Sequence, residues 1–497
     1  MTETPSFGRR LGRFASFNVA QHLWLGVLSL VATPILYHRL GEAAYGLLAV
    51  VNLVAAQLAI LEFGFGHATI RRLAKSGGTR DPAELSRTLA TSSWVFFGTA
   101  VVGSTVLLVG ADVLAERYFQ IPADFRDTGK TALRIGAVFF AVSMFGTLAG
   151  AVFQGIQRFG YLNLVSGVAA TAQLLGSVVL VLTGFGVLSV LAWSVFLGCV
   201  TLAIHRWWLA HEAPGVRPFG RPTRAAFREM AGFGFLLMVA GVLTQVFMSG
   251  GALVLGHYVA VGMLPFFTVP FGLYQRLNQM GYGLASALYP LVAEMDGLRD
   301  GPSLTRVFVS GTRILLLVGT ATMAPAVLVA TPFLTVWMGS EFAAQGGVVL
   351  ELLLAAFALS LATIPSIELA RGTGRPGLLV GYTGVLAGVN LAGVALLAPT
   401  AGATGAGVAF LVAQGCGSVY LLATVGGRNC ARVVSPGAAA FVAVAAAAVF
   451  LALRADLSMP VQVGLAMALG VALVALGYFF GLARDERHTL LRMARRT

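Results

Sequence analysis

The chain has 497 residues, of which 57% are hydrophobic and only 11% are charged. Because an ordinary globular chain has about 25% charged residues, this composition cannot cover a soluble surface. The net charge of +13 does not indicate nucleic-acid binding, since most basic residues lie in alternate short connections between long apolar segments. The composition therefore excludes an ordinary soluble protein and favours one that lies in a lipid bilayer.

The apolar segments recur along the whole chain, from Phe14 to Leu482. A hydrocarbon core about 30 Å thick needs about 20 apolar residues for each spanning helix. The segments are too long for the strands of a membrane barrel, and their apolar residues do not alternate. We therefore predict an all-α polytopic membrane protein with about 14 transmembrane helices. The predicted spans are 14–37, 44–67, 89–111, 131–153, 162–182, 187–206, 232–255, 262–290, 308–330, 348–370, 377–397, 402–424, 437–453 and 461–482.

The distribution of the 33 lysines and arginines predicts the orientation of these helices. With an even number of spans, both termini lie on the same side of the membrane. The connections on that side carry 26 basic residues, those on the other side carry 6, and Arg276 lies within a span. Since basic residues are retained in the cytoplasm, we expect both termini to be cytoplasmic.

A short motif occurs twice and indicates an internal duplication. Residues 154–160 and 371–377 both read x-Gly-x-x-Arg-x-Gly, and each follows a predicted span. Six spans separate the two copies, so the repeats have the same orientation. We predict two parallel six-helix lobes and two C-terminal helices. The predicted domains are 1–210 for the N-lobe, 211–430 for the C-lobe, and 431–497 for helices 13 and 14 with the tail.

The sequence contains no pattern that indicates an enzyme. It has no glycine-rich phosphate loop ending in Gly-Lys-Ser/Thr, and its Cys and His residues do not have metal-ligand spacing. Its three cysteines do not form a disulfide framework. We therefore expect neither catalysis, nor a cofactor, nor a metal.

Polar residues inside the predicted spans are the candidates for a binding site. Asn18, His22 and Ser29 lie on one face of the first span, with Gln21 beside them, and Gln245 belongs to a smaller polar stripe in the seventh. Polar groups are costly in lipid, so these faces should line the bundle interior or an aqueous cavity. Hydrogen bonding between packed helices is the alternative explanation.

Two carboxylates near the cytoplasmic ends of spans are candidates for ion coupling. Glu62 lies near Arg71 in the sequence, and Glu368 lies three residues before Arg371. Each could bind a transported ion or form a structural ion pair with its neighbouring arginines.

Arg276 is the strongest single candidate, because it lies near the middle of the eighth span. An arginine at the bilayer centre costs at least about 2.5 kcal/mol on insertion scales. Gln275 and Gln279 lie beside it, and three prolines in the same span favour a helix that lines a cavity. We therefore predict that Arg276, Gln275 and Gln279 contact a substrate.

Three segments resemble the polysaccharide flippases of the multidrug/oligosaccharidyl-lipid/polysaccharide exporter superfamily. Residues 37–47 are similar to the family's R-L-G-x-x-x-Y-G turn, and residues 61–71 are similar to its D-x-G-x-G…R segment, with Glu62 in place of the usual aspartate. Residues 332–342 resemble the segment that follows helix nine.

This resemblance implies a flippase of the bacterial inner membrane that moves polyprenyl-diphosphate-linked oligosaccharides by alternating access for cell-surface polysaccharide synthesis. It implies no cofactor, and members usually couple transport to an ion gradient, here of protons or sodium. An arginine suits the diphosphate because its planar guanidinium binds two phosphate oxygens at once. The expected partners are the lipid-linked substrate, membrane lipids, a polysaccharide polymerase and glycosyltransferases. Nucleic acid is not an expected partner, and the expected state is a monomer. A cation-coupled drug antiporter of the same superfamily and a non-transporting scaffold of a polysaccharide-synthesis complex remain alternatives.

Overall fold

The structure is a computed structural model in which every regular element of the described residues is a helix. It describes residues 7–62, 64–75, 82–212, 218–232, 235–285, 292, 295, 298, 301–433, 436–455 and 457–478. The predicted all-α fold is confirmed.

The helices are α1 Phe7–Leu40, α2 Glu42–Leu58, α3 Phe65–Lys75, α4 Pro82–Val113, α5 Arg126–Gly155, α6 Phe159–Leu182, α7 Val187–Glu212, α8 Arg224–Gly232, α9 Phe235–Gln245, α10 Gly251–Tyr258, α11 Pro265–Ala285, α12 Gly301–Leu328, α13 Ala330–Met338, α14 Ser340–Gly372, α15 Pro376–Gly426, α16 Cys430–Val433, α17 Pro436–Arg454 and α18 Met459–Leu476. A 3₁₀ turn at Ala59–Glu62 follows α2, and π-helical turns at Leu114–Tyr118 and Val246–Gly250 follow α4 and α9.

Twelve segments of the described chain are long and apolar enough to cross a membrane. These twelve segments contain thirteen of the predicted spans, because the single segment in α15 contains two predicted spans, 377–397 and 402–424. The remaining predicted span, 262–290, contains α11. The protein is therefore a multi-pass membrane protein, and the predicted number of about 14 spans agrees with the observed helices.

The two arms of α15 meet at Gly402, which has φ 53° and ψ −131°. A side chain would be strained in this conformation, so the corner requires glycine. Further along the arms, a Cβ atom placed on Gly393 would lie 2.8 Å from Cβ of Ala409. Small residues thus let the two arms pack closely as an antiparallel hairpin.

The chain forms two compact units, Met1–Pro265 and Phe266–Thr497. The first unit includes α9 and α10, which pack against α2. The 3₁₀ turn Val261–Met263 after α10 also lies against α2, and a Cβ on Gly46 would collide with the backbone of Val261, so this close approach requires glycine. The predicted domain limits at residues 210 and 430 stay predictions.

The two copies of the repeated motif have the same backbone hydrogen bonds. In the first copy the amides of Ile156, Gln157 and Arg158 donate to the carbonyls four, three and five residues earlier. The amides of Thr373, Gly374 and Arg375 donate to the carbonyls at the same offsets. The central residue has a positive φ in both turns, 61° at Gln157 and 67° at Gly374. Both copies of the motif therefore form the same type of helix-ending turn, which also occurs without the motif after α6, at Thr183–Phe185.

Candidate functional site

A cavity of about 230 Å³ in the first unit lies where α2 ends. The chain passes from α2 through the 3₁₀ turn to Gly64, which has a φ of 72°, and then enters α3. This break leaves room between the 3₁₀ turn, α5 and α9. The polar side chains that line the cavity belong to Glu62, His67, Thr147 and Gln245.

The Glu62 carboxylate lies against the first turn of α3. A Cβ on Gly66 would lie 3.4 Å from its Oε1 atom, so the carboxylate fits there because residue 66 is glycine. Its Oε2 atom is buried and makes no hydrogen bond within the described chain. A buried acceptor without a partner costs about 1–3 kcal/mol, and more when it is charged. The group is therefore suited to binding a proton or a cation.

Gln245 lies on the opposite wall of the cavity, at the end of α9. Its Nε2 atom donates to the carbonyl of Ala56, at 3.2 Å, and to the hydroxyl of Ser249, at 3.1 Å. The π-helical turn Val246–Gly250 begins at the next residue. Such turns occur most often at functional sites. The structure thus places two sequence candidates, Glu62 and Gln245, around one cavity.

The candidates of the first span lie on α1, and only two of their side chains can be described. The side chains of Asn18 and His22 lie outside the described part of the structure. Gln21 packs against α6, where a Cβ on Gly167 would lie 3.2 Å from its Nε2 atom. Ser29 is buried, and its hydroxyl donates to the carbonyl of Gly26 at 2.7 Å. The proposed substrate contacts of this stripe stay predictions.

Arg276 lies on α11 with its side chain partly buried. Phe271 and Tyr274 are buried on one side of this helix, with ring centroids 5.6 Å apart. Since each residue turns the helix by about 100°, Arg276 lies on the other side from Tyr274. Gln275 is partly buried and Gln279 is exposed. The aromatic side thus anchors α11 in the second unit and leaves the three polar candidates on the rest of its surface.

Glu368, the second carboxylate candidate, is only 3% exposed, and its Oε1 atom accepts a hydrogen bond from Nη1 of Arg371 at 3.0 Å. The two residues are three positions apart near the end of α14, so the helix itself brings them together. This contact favours the structural interpretation of Glu368 over an ion-binding one.

Sequence reasoning missed one intramembrane carboxylate, Glu351 of α14. Its Oε1 atom accepts a hydrogen bond from the hydroxyl of Thr331 at 2.8 Å. The signal was visible, because Glu351 and Glu368 are the two acidic residues in the apolar segment 348–370. An isolated carboxylate in a span is a candidate for function by default.

Three glycines with positive φ explain the motifs that resemble the polysaccharide flippases. Gly41, Gly64 and Gly339 have φ values of 80°, 72° and 95°, and each lies at a corner between two helices. At the first corner the Tyr37 hydroxyl also donates to Oε1 of Glu42 at 2.9 Å. The glycines of the motifs therefore specify corners of the fold.

The helical architecture defines a class, the multi-pass helical membrane proteins, and the sequence defines a family within it. Residues 36–345 match the sequence profile of the polysaccharide biosynthesis protein family. The matched region contains all three motifs, and it covers more than half of the chain. The chain belongs to this family, which confirms the resemblance drawn from the motifs.

Solved structures of MOP superfamily proteins share the fold. An inward-facing multidrug resistance MATE family transporter has a TM-score of 0.71 at 15% identity, over 85% of this chain and 99% of that one. The lipid II flippase MurJ, in an inward closed conformation, has a TM-score of 0.70 at 11% identity, over 93% and 98%. A MOP superfamily transporter from Pyrococcus furiosus has a TM-score of 0.61 at 15% identity, over 84% and 94%. No curated protein matches the sequence.

Proposed function

We propose that the protein is a flippase that moves polyprenyl-diphosphate-linked oligosaccharides across the bacterial inner membrane. The observation that carries this proposal is Arg276, a permanently charged residue on α11 of a protein from the polysaccharide biosynthesis family. A guanidinium binds phosphate oxygens through two parallel hydrogen bonds, and it keeps its charge at every physiological pH. Neighbouring Gln275 and Gln279 supply hydrogen-bonding groups for phosphate or sugar oxygens. On this proposal the protein is a transporter and not an enzyme.

The deciding experiment is flipping of a lipid-diphosphate oligosaccharide by purified protein in proteoliposomes. Arg276→Ala should lose nearly all activity, and Arg276→Lys should lose much of it, because an ammonium cannot reproduce the bidentate contact. Arg454→Ala serves as the matched control, since Arg454 is exposed and its guanidinium lies over the Phe450 ring. Wild-type flipping by Arg276→Ala at equal protein amounts would reject the phosphate role.

We further propose that transport is coupled to a proton or sodium gradient through Glu62. This carboxylate has a buried oxygen without a hydrogen bond and lines a polar cavity. The same observation favours a second candidate function, a cation-coupled antiporter of drugs or metabolites. The two functions differ in cargo, so gradient-driven efflux of amphiphilic cations in the same proteoliposomes distinguishes them. Efflux of these cations without glycolipid flipping would favour the antiporter.

We also propose that both termini lie in the cytoplasm. The 26 basic residues on the side of the termini, against 6 on the other, support this orientation. A reporter fused after Thr497 and a cysteine label within 206–231 should both report the cytoplasm. Periplasmic labelling at either place would reverse the orientation. Within this arrangement we propose a monomer that works beside a polymerase and glycosyltransferases.

A further inference from the structure

A second cavity of the first unit has a different chemistry from the one at Glu62. It is a groove of about 230 Å³ between α4, α5 and α7, at the ends that the charge distribution places in the cytoplasm. Apolar side chains make up most of its wall, among them Leu148, Val152 and Leu209, which are buried. Such a wall does not satisfy the hydroxyls of a sugar, but it accommodates a hydrocarbon chain.

One side of the groove is formed by Phe219, in the segment that follows α7. Its ring centroid lies 5.8 Å from that of Trp94 and 6.2 Å from that of Phe145. The indole of Trp94 also donates to the carbonyl of Gly220 at 3.2 Å, which holds this segment on α4. Trp94 and Phe219 are 45% and 53% exposed. Aromatic side chains of this kind are enriched where a membrane protein meets the lipid headgroups.

Positive charge lies at the same end of the groove. Arg206 is exposed and lines the groove directly, next to the buried His205. His205 is held by a 3.1 Å hydrogen bond between its Nδ1 atom and the Tyr161 hydroxyl. Arg221 and Arg224 follow Phe219 in the chain and are exposed. An apolar groove with a cationic end complements a lipid that has an anionic headgroup.

We propose that this groove binds one acyl chain of an anionic phospholipid from the cytoplasmic leaflet, with the lipid phosphate at Arg206. The inference does not depend on transport, because the groove is a separate cavity from the one that contains Glu62. Phe219 would contact the bound chain directly, so the lipid would help to hold segment 218–223 on α4. A zwitterionic lipid has the same acyl chain but no net charge, and it should bind less tightly.

The test is photocrosslinking of full-length protein in phosphatidylcholine nanodiscs that contain a phosphatidylglycerol with a diazirine in its acyl chain. Peptides that include 145–153 should carry the crosslinked lipid. Added unlabelled phosphatidylglycerol should reduce this crosslinking, and added phosphatidylcholine should not. Arg206→Gln should weaken the competition about fivefold, the effect of one basic residue near a lipid surface. Arg39→Gln, in the last turn of α1, should have no effect.

A second pair of variants tests the groove itself. Ala149 lines it, so Ala149→Phe should fill it and remove most of the label. Ala203 is exposed on α7 and does not line the groove, so Ala203→Phe should label like the wild type. Equal competition by both lipids, or full labelling of Ala149→Phe, would reduce the groove to ordinary bilayer contact. If a polyprenyl phosphate reduced the crosslinking at a much lower concentration than phosphatidylglycerol, the groove would be a site for that lipid and the proposal would be overturned.

Discussion

Glu62 and Glu368 both lie near the end of a span that the charge distribution predicts to be cytoplasmic, yet their surroundings differ. Glu62 lines a polar cavity and has a buried oxygen that makes no hydrogen bond to the described residues. Glu368 is more deeply buried and is bonded to Arg371 at 3.0 Å. The cause is local: α2 ends at Leu58 and a 3₁₀ turn leads to Glu62, whereas α14 continues through Glu368 and places an arginine three positions later. Two carboxylates near the ends of spans can thus have different surroundings, one suited to the proposed ion coupling and the other to a structural ion pair.

The sharpest test of this comparison exchanges each carboxylate for its amide. Glu62→Gln should reduce gradient-driven transport at least about tenfold, the rate change that corresponds to about 1.4 kcal/mol. The amide keeps the shape of the side chain but cannot carry a proton or bind a cation through a negative charge. Initial rates in proteoliposomes with an imposed proton or sodium gradient measure the effect.

Glu368→Gln is the matched control, and it should retain gradient-driven transport at a rate close to that of the wild type. If Glu62→Gln kept full gradient dependence while Glu368→Gln lost it, the two assignments would have to be exchanged.

The ion pair predicts a stability effect in the second unit. Arg371→Ala leaves the Glu368 carboxylate buried without its hydrogen-bond donor, and should lower the free energy of unfolding by about 1–3 kcal/mol. Adding Glu368→Gln should restore part of the loss, since the unpaired charge is then removed. Unfolding of the detergent-solubilised protein measures both variants. Arg375→Ala, an exposed change in the same turn, is the control, and an equal loss there would rule out a specific ion pair.

The repeated turns extend the comparison to the backbone. Gln157 has a φ of 61° and Gly374 a φ of 67°, a region that costs a residue with a side chain about 1–2 kcal/mol. Gln157→Gly should therefore raise stability by up to about 1 kcal/mol, and Gly374→Ala should lower it by about as much. Gly377→Ala should raise stability, in contrast to Gly374→Ala, because Gly377 lies in the first turn of α15 with open space around it. Thermal unfolding distinguishes the three, and the same sign for both alanine variants would refute the conformational explanation.

The smallest expected effect concerns which polar groups of the first unit reach water. In a background without Cys199, Cys416 and Cys430, Thr147→Cys should react with a membrane-impermeant thiol reagent, because Thr147 is exposed and lines the Glu62 cavity. Ser29→Cys should react more slowly, since Ser29 is buried. Faster labelling at Ser29 than at Thr147 would extend the aqueous region to the polar stripe of α1.

The sequence was sufficient to predict the spans, because every helix that crosses the bilayer needs about 20 apolar residues. It was also sufficient to predict the family, because the corners of the fold require glycines such as Gly41 and Gly339 at fixed places in the motifs. It was not sufficient for the environment of Glu62. That environment depends on where α2 breaks and on side chains such as Gln245 that are distant in the chain. Glu351 has no arginine near it in the sequence, and its partner, Thr331, lies twenty residues away, so the sequence alone does not reveal its contact.

The corner at Gly402 has a consequence for how the chain enters the membrane. Both arms of α15 are apolar and long enough to span, and a single left-handed glycine separates them. No loop lies between the arms, so the second follows the first directly during synthesis. We therefore expect the two arms to insert together as one helical hairpin.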